Sequence, residues 1–151
     1  MGFIGSMTEY FFPGFISSSS YLDIIEKKDN RSRVYDSYFI LSNREDPIAI
    51  NTALTDIKSD DDYLWLNASL YLGRVRRIEA IPYLIKALRH TAWRSVDERV
   101  EMLNDLTGMR FTNNFTQWKA WWIQEDPEFE INWDSSLGHN PKIENDIEPV
   151  N

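Results

Sequence analysis

The chain has 151 residues, 42% of them hydrophobic and 26% charged, which fits one globular domain able to bury a single sizeable core. It has no cysteine, which excludes disulfides, thiolate metal sites and cysteine nucleophiles, and no apolar run approaches the roughly 18 residues that a membrane-spanning helix needs. The net charge of -8 is uneven: residues 71–100 carry +4, whereas 1–70 carry -5 and 125–151 carry -7. So acidic a chain lacks the excess of bases that non-specific nucleic-acid binding requires, and no nucleic-acid partner is expected.

The start, MGFIGSMTEYFFPGF, has no basic residue and does not make a complete secretory signal. Cytoplasmic residence is the expectation, with the periplasm as the alternative if the apolar start is what remains of an export signal; residues 1–6 also resemble a cloning scar. Residues 1–19 are read as an irregular segment.

Helix signals run from 20 to 125, the expected folded domain. The stretch SYLDII begins with Ser20 as a candidate N-cap, and NRSRVYDSYFILSN places Val34, Tyr38 and Leu41 at helical spacing. In EDPIAINTALTDIKS, Asp46 suits the N-cap and Pro47 the first helical position, while Ile50, Ala53, Leu54 and Ile57 form one face. The next helix, DDDYLWLNASLYLG, gathers acids at its N-terminus and is apolar almost all round, as a central helix is; Gly73 suits a left-handed C-terminal position. In IEAIPYLIKALRH the face is Ile81, Leu84, Ile85 and Leu88, with Pro82 in the first turn. SVDERVEMLNDLTG opens with a capping box, Ser95 and Glu98, and closes at Gly108. The last helix, NNFTQWKAWW, has a second capping box in Asn114 and Gln117. Its rings, Phe115, Trp118, Trp121 and Trp122, fall within about 120° of arc on a helical wheel, the width of a core-facing stripe rather than an exposed platform. Beyond 126, FEINW alternates as an extended segment, and 126–151 reads as an acidic, loosely ordered tail.

An internal repeat is visible. Tyr35–Leu41 aligns with Asn67–Gly73 at an offset of 32, and Asp46–Leu54 with Ala80–Leu88 at 34. Two copies of a helical hairpin form the middle of the chain, the pattern of an all-α solenoid whose units bury their faces by stacking.

With these residues in view, DDYLWLNASLYLGRVRRIEAIPYLIKALRH resembles a HEAT repeat of the small bacterial type. The close, LTG at Leu106–Gly108, a phenylalanine and W-x-x-W-W at Trp118–Trp122, resembles the motif that ends many such arrays. The resemblance covers 31–122. It implies a short HEAT-like α-solenoid with a Trp-rich C-terminal capping helix, used to bind another protein rather than to catalyse a reaction. It also implies that the second helix of each hairpin lines the concave side. On that basis Tyr83, Lys86, Arg89, His90, Trp93 and Arg94, in the one basic region of the chain, are the expected partner-binding residues, with the acidic tail as a possible competitor for the same place.

No catalytic, cofactor or metal site is expected. His90 and His139 are isolated, the Ser59–Asp62 run lacks the spacing of a calcium loop, and there is no nucleophile-bearing G-x-S-x-G turn or glycine-rich phosphate loop. Compact size and acidity also suit a bacterial immunity protein that neutralises a basic toxin. HEAT-like DNA glycosylases and lyases are the enzymatic alternative, but the glycosylases are longer and more basic.

Overall fold

The computed structural model describes residues 16–90 and 96–134. The described regular structure is entirely helical, with seven α-helices: α1 (Ser18–Lys27), α2 (Arg31–Asn43), α3 (Ile50–Asp56), α4 (Asp62–Arg74), α5 (Ile81–Ala87), α6 (Val96–Thr107) and α7 (Phe115–Glu125). Single 3-10 turns, Pro47–Ala49 and Ile78–Ala80, precede α3 and α5. No helix among these residues is long and apolar enough to cross a membrane.

The repeat is more regular than the sequence alignment implies. Every element of α2, 3-10 turn and α3 recurs 31 residues later in α4, 3-10 turn and α5. Offsets of 32 and 34 came from matching apolar letters, whereas the backbone keeps one register. Asn30 and Asp61 cap the first helices, accepting from Arg33 N and from Tyr63 N and Leu64 N. The C-terminal turns match bond for bond: Arg44, Glu45 and Asp46 donate to the carbonyls of Ile40, Ser42 and Leu41, and Val75, Arg76 and Arg77 to those of Tyr71, Gly73 and Leu72. The residue that reverses the chain is left-handed in both, Glu45 at φ 51° and Arg76 at φ 65°.

That geometry corrects the expected role of Gly73. It lies inside α4, and a Cβ there would come within 2.9 Å of Met102 Sδ and 3.0 Å of Leu84 Cδ1. The glycine lets α5 and α6 approach α4 closely. Gly108, at φ 74°, does close α6 as expected. Another boundary also moves: the cap of α1 is Ser17, whose side chain accepts from Ser20 N, so the helix begins before residue 20. Ser95, the first half of the expected capping box at α6, lies outside the described residues.

Helix α4 is central, as its all-round apolar sequence predicts. It packs on α2, α3, α5 and α6, and Trp65 through Gly73 are buried without a break. Equivalent positions bury equivalent side chains: Leu41 and Leu72, Ala49 and Ala80, Ala53 and Leu84, Ile57 and Leu88. Helix α7 covers α5, with Phe115 and Trp118 buried and Trp121 and Trp122 half-buried. Trp118 is held edge-on to Phe111 at 4.9 Å, and its Nε1 donates to Thr112 O at 2.9 Å.

One buried phenol braces the first unit and a second ties the two units together. Tyr38 Oη donates to Asp56 Oδ2 at 2.6 Å, and Lys28 Nζ pairs with the same oxygen at 2.9 Å. Tyr71 Oη donates to the Asp46 carbonyl and accepts from Ala49 N at 3.0 Å, so a side chain of the second unit satisfies backbone groups of the first. Burial raises the pKa of both, Tyr71 to about 12.

Candidate functional site

The apolar face of α5 turns Ile81, Leu84 and Ile85 into the core, which sends Lys86 and, one turn on, Arg89 and His90 toward α7 and the start of α4. These side chains were expected on an open concave surface. Instead Lys86 is 8% exposed, Arg89 6% and His90 fully buried, and Tyr83 is half-buried. Trp93 and Arg94 lie outside the described residues.

Each buried polar head lies against an aromatic ring. Lys86 Nζ is 4.4 Å from the Trp65 ring centre, and Trp65 is fixed by Nε1 donating to Asp62 Oδ1 at 2.8 Å. Burial pushes the Lys86 pKa down, while Asp62, Asp134 and Asp60 push it back up. The His90 ring meets the same indole edge-on at 5.8 Å. The Arg89 guanidinium stacks on Phe115 with its carbon 3.9 Å from the ring centre.

The cover over this face is the segment that follows α7. Its helix ends at Asp126, the chain turns with Phe129 N bonding to Asp126 O at 3.2 Å, and 130–134 continues without regular structure. Phe129 sets its ring edge-on to Tyr83 at 6.3 Å and to Trp122 at 5.6 Å. Trp133 meets Phe115 at 5.9 Å, its carbonyl accepts from Arg89 Nη2 at 3.1 Å, and Asp134 lies 3.8 Å from the same guanidinium. The described part of the tail is thus anchored at two rings and one arginine. The alternation in FEINW is the sequence signal for it: Phe129, Ile131 and Trp133 fall on one side of an extended strand. The tail was expected as a charge-led competitor for this face; what sequence reasoning missed is that its rings dock there, together with Phe115 and Lys119 of α7.

Between α7 and this segment lies an open recess of about 620 Å³. It is lined by the cations Arg89 and Lys119, the apolar Phe115, Ile131 and Trp133, and the polar Thr116, Asn132 and Asp134. Lys119 Nζ sits 5.9 Å from the Phe115 ring centre and 5.7 Å from that of Trp133, so the Phe115 ring has two cations beside it, Lys119 and Arg89.

A second polar cluster lies at the N-terminal ends of α2 and α4, where it takes in Asp61 of the Ser59–Asp62 run. Arg31 sits between the rings of Tyr35 and Tyr63, at 5.8 and 5.9 Å, donates to Tyr35 Oη at 2.8 Å and pairs with Asp61 at 2.9 Å. Two of its nitrogens, Nε and Nη2, are engaged within the cluster.

Comparison with protein-family models, with curated proteins and with solved structures finds no match to this chain.

Proposed function

We propose that the chain is a non-catalytic protein-interaction module: a short HEAT-like α-solenoid, closed by the Trp-rich α7, that takes an extended segment of another protein along α5 and α7. The observation that carries the reading is the chain's own segment from 129 to 134, which already occupies that surface. It lies there without regular structure, held by two aromatic anchors, one backbone acceptor and one carboxylate. The 31-residue repetition supports the solenoid, because each unit offers a helix face that only a neighbour can cover. Arg89, Tyr83 and Trp122 are residue types enriched among binding hot spots, and here they receive a ligand-like segment in cis.

In this reading the tail is the resident competitor, and the partner presents similar chemistry: spaced aromatic side chains followed by an acid. Charge reversal of Lys86 or Arg89 would not test it cleanly, because both side chains are buried and their reversal would damage the fold. The direct test loosens the cover in the full chain with the double variant Phe129→Ala, Trp133→Ala. Wild type and variant are used in parallel to capture partners from the native cell. Each captured protein is then titrated by calorimetry at about 50 and 300 mM salt. The expected result is a partner bound about tenfold more tightly by the loosened variant, with affinity falling as salt rises. Equal affinity for both proteins would sink the assignment of this face. A basic toxin bound equally by both would instead make the chain an immunity protein acting through its acidic exterior.

A further inference from the structure

The recess between α7 and the covering segment goes beyond a peptide-docking face. Its volume, about 620 Å³, is that of a small-molecule site. In a chain of net charge -8, the two cations Arg89 and Lys119 line it; the Phe115 ring stands beside both and the Trp133 ring beside Lys119. Arg89 is held in place on three counts: its plane rests on Phe115, one nitrogen is bound to the Trp133 carbonyl, and its side chain is 7% exposed. Asp134 is loosely engaged with it: the separation is 3.8 Å and the Asp134 side chain is 89% exposed.

We propose that this recess binds a small organic acid, its carboxylate taken by Arg89 and Lys119 in the place Asp134 now holds and its flat apolar body laid against Phe115 and Trp133. Thr116 and Asn132 in the lining supply hydroxyl and amide groups to orient it. The carboxylate supplies charge-assisted bonds, and the rings select an unsaturated body over a bare inorganic anion.

The test uses the full chain and four probes titrated by calorimetry: indole-3-acetate, 3-methylindole as its uncharged counterpart, inorganic phosphate, and the capped dipeptide acetyl-Trp-Asp-amide. Indole-3-acetate is expected to bind saturably, about tenfold more tightly than 3-methylindole or phosphate, since a charge-assisted bond is worth at least that factor. Lys119→Gln should weaken it about fivefold, and Asp134→Ala should tighten it about threefold by removing the resident carboxylate. Lys119 and Asp134 are not core residues, and circular dichroism of both variants confirms that they fold. No saturable binding by wild type or Asp134→Ala, or affinities unmoved by both substitutions, would overturn the proposal. Phosphate binding as tightly as the aromatic acid would remove the ring contribution and overturn it too. Preference for the dipeptide over indole-3-acetate would reassign the recess to a protein-borne carboxylate.

Discussion

The two repeat units are built alike and used differently. At equivalent positions 31 residues apart, Thr55 and Lys58 of the first unit are exposed, whereas Lys86 and Arg89 of the second are buried. The local structures agree helix for helix and turn for turn. The difference comes from what is laid on top: α7 and the segment after it cover the second unit and leave the corresponding side of the first uncovered. Residue type follows the cover. Threonine and lysine suffice where water does the solvating, while Lys86 and Arg89 each rest on an aromatic ring. A basic stretch in a repeat is therefore not in itself an exposed surface.

The strongest way to break the comparison is to remove the cover. Trp118 is fully buried between Phe111 and Trp121. Trp118→Ala should cost about 3–5 kcal/mol in chemical denaturation, and half-buried Trp122→Ala about 1–2 kcal/mol. Thr116→Ala should stay within about 0.5 kcal/mol. Equal losses at Trp118 and Thr116 would mean that α7 does not hold the second unit through its rings.

Next in size is the same substitution at the same repeat position. Arg89→Ala loses the Phe115 stack and the Trp133 carbonyl bond and should destabilise by about 2–3 kcal/mol. Lys58→Ala should change stability by no more than about 0.5 kcal/mol. Matching values at the two sites would erase the distinction between the units.

A pH titration sharpens it from the side of the shared core. Burial raises the phenols of Tyr38 and Tyr71 above their ordinary value of 10.0, Tyr71 to about 12. On raising the pH the unfolded chain loses these protons first. The stability they supply is complete below pH 10 and, for Tyr71, is lost as the pH passes through about 12. Stability measured by urea denaturation from pH 9 upward should therefore fall, and Tyr38→Phe should flatten the fall at a cost of about 1–2 kcal/mol at neutral pH. An unchanged slope would show that Tyr38 does not carry the effect.

The smallest expected effect should be equal in both units. Glu45 and Arg76 pay for left-handed backbone at matching turns, so Glu45→Gly and Arg76→Gly should each stabilise by about 0.5–1 kcal/mol in thermal or chemical denaturation. A gain in only one unit would show that the turns are not equivalent.

Much of this molecule was legible in its residues because the signals are local. Asn114, Asp46 and Asp61 cap by their own side chains, Gly108 ends its helix, and the all-apolar α4 has no face to give to water. Hydrophobic spacing therefore determined an all-helical chain with a repeated hairpin and a central helix. Register was less legible: apolar letters matched at 32 and 34, while capping and reversal, which depend on backbone, repeat at 31. Gly73 misled for the same reason, since a glycine near a helix end signals a reversal locally, and only the approach of Met102 and Leu84 shows that it serves packing. The tertiary structure alone decided where Lys86, Arg89 and His90 would lie. Lys86 and His90 rest on Trp65 of α4, and Arg89 on Phe115 and the Trp133 carbonyl, which lie 26 and 44 residues beyond it; a contact across such a distance leaves no periodicity in the sequence that folds to make it.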